Sequence, residues 1–211
     1  MIAVLDYGIG NLRSAEKALQ HVGADARLVE SARAASGAAG VVLPGVGAFG
    51  ACAKALQASG LDEVVRRCVD DGRPFLGICV GLQLLFESSD EDPDVGGLGI
   101  FKGCVRAISP SERRPQMQWN LVRRAPGSPS RLLGDAESCW YYFVHSYVPV
   151  PGDDTAEAAV AGTCEYGGEL AVAFERDNVF GTQFHPEKSA AAGLRLLDRF
   201  ARLCGRAPQG V

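Results

Sequence analysis

The chain has 211 residues, 47% apolar and 22% charged, with 21 basic residues against 25 acidic ones and a formal net charge of −4. That balance suits a globular protein and lacks the basic stripe that nucleic-acid binding needs. No run approaches the roughly 18 apolar residues of a membrane helix, no basic leader precedes the first apolar run, and none of the seven cysteines forms a C-x-x-C pair, so a reduced, cytoplasmic protein without a zinc or thioredoxin-type site is expected.

Residues 2–5 read as a buried strand, and residues 11–22 as a helix with Leu12, Ala15, Leu19 and Val22 at helical spacing. Residues 41–43 form a second strand, ended by Pro44-Gly45. Residues 61–71 are helical and stop at Gly72, a C-terminal glycine signal. Residues 75–78 are a third strand, followed by a helix over 80–86. Strand and helix alternate, which predicts a mostly parallel sheet with helices on both faces. In the second half, residues 105–108, 140–144, 158–164, 170–174 and 179–184 read as strands parted by polar or Gly/Pro turns, an antiparallel or mixed extension of that sheet. The last helix, 190–203, carries Leu194, Leu197, Phe200 and Ala201 on one face. Residues 88–97 and 126–129 read as loops, and 206–211 as a frayed tail. With no repeat and no linker, a single domain over 1–211 is expected.

The sharpest local signal is Gly77-Ile78-Cys79-Val80-Gly81, between an apolar strand and a helix. This is the setting of a nucleophile elbow with Cys in place of Ser. Small flanking residues suit so tight a turn, and a helix start favours thiolate over thiol. The Val80 N–H can face a developing oxyanion. Of the three histidines, His21 reads as a solvated helix residue. His145 ends an apolar strand and reads equally as core edge or pocket wall. His185 lies in the turn leaving a strand, where ligands gather in open α/β sheets. Glu187 follows two residues on, and Pro186 holds His185 extended, so both side chains face one way. That is the order of a triad: nucleophile Cys79, base His185, orienter Glu187. Pro44-Gly45-Val46-Gly47 offers a second oxyanion donor from Val46 or Gly47. Gln83, one helical turn past Cys79, has an amide suited to a polar substrate end. Gly8-Ile9-Gly10-Asn11 fails as a dinucleotide loop, since Arg13 stands where the third glycine belongs.

Together these segments resemble the class I, triad-type glutamine amidotransferases over essentially the whole chain. Within that class the resemblance is closest to the glutaminase subunits of imidazole glycerol phosphate synthases. It is carried by residues 6–12 (DYGIGNL), 44–49 (PGVGAF), 77–83 (GICVGLQ), 142–147 (YFVHSY) and 183–189 (QFHPEKS). It implies a three-layer, flavodoxin-like α/β fold and hydrolysis of L-glutamine by Cys79, His185 and Glu187, without metal or organic cofactor. It also implies glutamine held by Gln83 and by backbone around His145, Ser146 and Tyr147. The implied partner is a (β/α)₈-barrel cyclase, joined as a heterodimer, that uses the released ammonia in histidine synthesis. Gln118, Trp119 and Asn120 resemble the family's interface segment, with Gln118 where the family usually has Gly. Two other readings stay open: a glutaminase serving another synthase of the same fold, and a non-catalytic interaction module.

Overall fold

The computed structural model describes residues 1–125 and 130–205; the loop expected at 126–129 and the tail expected at 206–211 lie outside the described residues. In chain order the strands are β1 (Ile2–Leu5), β2 (Ala26–Val29), β3 (Gly40–Gly45), β4 (Phe75–Cys79), β5 (Ser88–Ser89), β6 (Gly103–Ala107), β7 (Gln116–Arg124), β8 (Ser138–His145), β9 (Tyr147–Pro151), β10 (Val160–Glu165), β11 (Glu169–Arg176) and β12 (Val179–Thr182). The helices are α1 (Leu12–His21), α2 (Phe49–Ser59), α3 (Asp62–Asp70), α4 (Val80–Gln83), α5 (Asp153–Ala159) and α6 (Ala190–Leu203).

Nine strands form one sheet in the order β2-β1-β3-β4-β12-β11-β10-β7-β8. The first five are parallel neighbours, and the rest pair antiparallel. The mixed sheet expected from the sequence is therefore present. Strands β1, β3, β4 and β12 are buried at every position, as parallel strands covered on both faces must be. Among the helices that flank the sheet, α1 packs on α6 and α2 on α3. Strands β5, β6 and β9 make a separate small sheet.

Four details differ from the sequence reading. Strand β3 does not end at Leu43 but runs on through Pro44 and Gly45, which pair with Ile78 and Cys79. Pro44 is tolerated because β1 pairs with β3 only as far as Val42, so no ladder partner there needs the missing N–H. The helix expected over 80–86 closes after a single turn, and 158–159 belong to α5 rather than to the following strand. On α6 the apolar stripe is Gly193, Leu196, Leu197, Phe200 and Ala201; Leu194 is only partly buried.

The topology sets up the site. The carboxyl ends of β3, β4 and β12 lie side by side, with Gly45 in register with Cys79 and Thr182 with Ile78. What leaves these three ends is the Val46-Gly47 loop, the Cys79 turn and the 183–188 segment. Ligand sites of open α/β sheets form in this crevice.

Candidate active site

Cys79 is the last residue of β4 and carries φ +56° and ψ −113°, a conformation a non-glycine residue rarely adopts. Glycines make this turn possible by close approach. A Cβ on Gly77 would lie 2.6 Å from the Gly81 carbonyl oxygen, and one on Gly81 would run into the Leu43 carbonyl oxygen. The bulk of each side chain is excluded by backbone, not by a neighbour that can move. Because α4 has one turn, the polarity at Cys79 comes from local N–H groups rather than from a long helix dipole.

His185 is 1% exposed, and its Nδ1 lies 2.8 Å from Glu187 Oε1. Backbone and side-chain bonds to β8 fix the turn. The His185 N–H donates to the Tyr142 carbonyl at 3.0 Å. Ser189 Oγ donates to the His185 carbonyl at 2.6 Å and accepts from the Tyr142 N–H at 2.9 Å. Ser189 thus clamps the histidine turn and does not cap α6 through its side chain. Burial pushes the His185 pKa down, but the Cys79 sulfur and the Glu187 carboxylate outweigh it and raise it. His185 Nε2 and Glu187 Oε2 are buried without a hydrogen-bond partner.

A cavity of about 240 Å³ is lined by Val46, Gly47, Cys79, Val80, His145, Ser146, Tyr147 and His185, with Gln83 and Glu91 also on its wall. This is near the lower end of small-molecule sites, suited to a metabolite of amino-acid size. Gly47 has φ +86°, which favours glycine, although a Cβ there would meet open space. Apart from Glu187, which bonds His185 Nδ1 and does not line the cavity, the residues singled out in the sequence for catalysis, oxyanion binding and substrate binding share one cavity.

Gln83 and His145 both line the cavity, but the Gln83 amide nitrogen, expected to hold substrate, and the His145 ring nitrogens are engaged within the protein. Gln83 Nε2 is spent inside the protein, donating to the Tyr147 carbonyl and to Gln183 Oε1, each at 3.0 Å. His145 holds the same carbonyl through Nδ1 at 2.8 Å. Burial lowers the His145 pKa to about 4, so the ring is neutral at pH 7. Its Nε2 lies 2.8 Å from Gln116 Oε1, an acceptor, while Gln116 Nε2 has no partner. Turning the carboxamide over resolves both, since a neutral Nε2 then accepts from the amide NH₂. Of the two readings open for His145, core edge describes its side chain and pocket wall its backbone.

Two residues here were not singled out from the sequence. Glu91 lines the cavity while its Oε2 accepts from the Phe49 N–H at 2.7 Å. Gln183 is fully buried and its Nε2 lies 3.6 Å from Cys79 Sγ. Glu91 sits in a stretch read as a loop, with no periodicity to mark it. Gln183 lies inside the quoted QFHPEKS segment, where its neighbour His185 drew the attention.

The expected interface segment lies on β7. Gln118 is exposed, Trp119 is 44% exposed and stands edge-on to Tyr142 at 6.2 Å, and Asn120 donates to the Glu165 carbonyl at 2.9 Å. Met117 and Trp140 are 65% and 56% exposed on the same face of the β7–β8 pair.

A model of the class-I glutamine amidotransferase family matches residues 3–203. The chain belongs to that family. Its HisH branch is represented by curated relatives named imidazole glycerol phosphate synthase subunit HisH. The one from Methanothermobacter thermautotrophicus is 44% identical over 96% of this chain and 98% of its own. The one from Dechloromonas aromatica is 46% identical, covering 94% of each chain. Among solved structures, one described as a glutamine amidotransferase superposes with a TM-score of 0.75 at 23% identity, covering 97% of this chain and 99% of its own. PurLQS from Thermotoga maritima gives a TM-score of 0.73 at 20% identity, with 96% of each chain covered. Both share the fold. All seven cysteines are free thiols, and no described helix is long and apolar enough to cross a membrane.

Proposed function

We propose that this chain, as one amidotransferase domain, hydrolyses L-glutamine and delivers the ammonia to a (β/α)₈-barrel cyclase subunit in histidine synthesis. One observation carries the reading. The Cys79 turn and His185, far apart in sequence, line the same small cavity, and Glu187 bonds the far side of the His185 ring.

Cys79 Sγ, as thiolate, attacks the γ-carboxamide carbon, and His185 holds the proton as imidazolium. Backbone N–H groups of Val80 and of Val46 or Gly47 receive the charge that develops on the oxygen. The C–N bond breaks as His185 Nε2 gives its proton to the leaving nitrogen, and ammonia departs. Water then loses a proton to His185 and attacks the γ-glutamyl thioester. Glutamate leaves, and the sulfur and imidazolium are restored. Glu187 holds Nδ1–H throughout and supports the charged ring. The Glu91 carboxylate supplies the negative charge that an α-ammonium group pairs with. Backbone around Ser146 and Tyr147 borders the amino-acid end.

For the partner, the exposed face of Met117, Trp119 and Trp140 offers the aromatic and Met-rich surface that protein interfaces favour. The cyclase is read as binding this part of β7, with Trp119 on the contacting face and Gln118 and Asn120 alternating to the other face of the strand.

Glutamine-driven and ammonia-driven cyclase turnover, measured with the Cys79→Ala protein, test this reading. The expected result is loss of the first and retention of the second. Normal glutamate release by that variant would end the mechanism. A pull-down that recovers a different synthase would move the chain to another pathway.

A further inference from the structure

The Cys79 sulfur has a side-chain neighbour that the mechanism above does not use. Gln183, the residue after β12, is 0% exposed, and its Nε2 reaches Sγ at 3.6 Å. Its backbone is pinned, with the N–H donating to the Val172 carbonyl at 2.9 Å.

The direction of this contact follows from the far end of a hydrogen-bond chain. The Tyr147 carbonyl can only accept, so Gln83 must turn its NH₂ toward it. The same NH₂ reaches Gln183 Oε1. With its oxygen engaged there, Gln183 has only its NH₂ left to face the sulfur. His145 Nδ1 supplies the second donor to the Tyr147 oxygen and locks the anchor. The members are buried side chains, so water does not compete with the arrangement.

The sulfur also lies 4.0 Å from the Val144 carbonyl, which only a protonated thiol can bond. The Gln183 N–H does the opposite: it favours the negative sulfur and fixes its direction.

We propose that Gln183 is a positioning residue for the nucleophile, its side-chain N–H holding Cys79 as a directed thiolate. This rests on the reading of Cys79 as nucleophile. The residue acts on the sulfur and not on glutamine, so its effect falls on kcat and on the sulfur's reactivity.

Two variants test it, Gln183→Met, which has similar length and no N–H, and Gln183→Glu, which keeps the shape but offers oxygen to the sulfur. Each is measured in complex with the cyclase for kcat and KM, and for iodoacetamide alkylation of Cys79 against pH. Losing a hydrogen bond to a charged group predicts a kcat reduced about ten- to a hundredfold, with KM for glutamine little changed. The alkylation profile moves to higher pH in the Met variant and further in the Glu variant, whose carboxylate repels the thiolate. Packing loss alone does not produce that order. A folded variant of either kind with a wild-type profile and kcat overturns the proposal, and so does lower kcat with an unmoved profile. If iodoacetamide leaves wild-type glutaminase activity intact, it is the nucleophile reading that falls instead.

Discussion

Nδ1 of His185 lies 2.8 Å from Oε1 of Glu187, and both side chains are at most 3% exposed. An imidazole held this way has one tautomer and one ring orientation. The Glu187→Gln protein keeps the shape but loses the charge that supports the imidazolium. Its kcat for glutamine hydrolysis is expected to fall by about a hundredfold or more, with the fold intact by circular dichroism.

Ser189 joins the same turn to β8. In Ser189→Ala the buried Tyr142 N–H and the His185 carbonyl both lose a partner. The expected cost is about 2 kcal/mol, read as a Tm lower by roughly 5 °C. A kcat reduced about tenfold should accompany it, because the histidine is less firmly aimed. An unchanged Tm would show that the turn is held by other bonds.

Gly81→Ala tests the elbow. Its Cβ would strike the Leu43 carbonyl of a fully buried strand. Backbone cannot rotate away as a side chain can, so destabilisation of about 3 kcal/mol or more is expected by urea unfolding.

The two buried histidines act oppositely on stability. At His145 the unfolded chain binds a proton near pH 6.5, but the folded chain waits until about 4. Stability is therefore lost as pH falls from 6.5 toward 4, by about 3 kcal/mol in full. At His185 burial lowers the folded pKa, yet Cys79 and Glu187 raise it to about 10. That contribution is complete below pH 6.5 and lost as pH rises toward 10. Urea midpoints against pH should show His145→Asn flattening the acid limb and His185→Asn the alkaline limb.

Trp119→Ala should weaken cyclase binding by about thirtyfold, as loss of an aromatic anchor does, with the isolated subunit's Tm nearly unchanged. Titration calorimetry of the two subunits measures this.

Strands β3 and β4 were legible because their apolar runs are closed by Pro44 and Cys79, and β12 was legible by Val179 and Phe180 ahead of the His185 turn. The helix over 190–203 was legible by its 3.6 period. Four other elements left weaker marks. Helix α2 is built largely of Ala, Gly and Cys, with little contrast between its faces. Strand β2 is half exposed, and Arg27 breaks its run. Strand β9 holds two prolines. Strand β7 is inside out, with Gln116 buried while Met117 and Trp119 face solvent, so the usual apolar-in rule hides it. The cysteine, histidine and glutamate of the site were readable from local motifs. The amide of Gln183 was not, because nothing in a linear pattern says which way a buried carboxamide turns.

The adjacency of β4 and β12 in one ladder separates two kinds of evolutionary freedom. The pair works like a hinge pin: whatever is inserted, deleted or reshaped along the long excursion between them, the two strand ends return to the same alignment. That excursion includes β7 and β8, which carry the exposed Met117, Trp119 and Trp140. A lineage can thus exchange the company this subunit keeps while its chemistry stays in place.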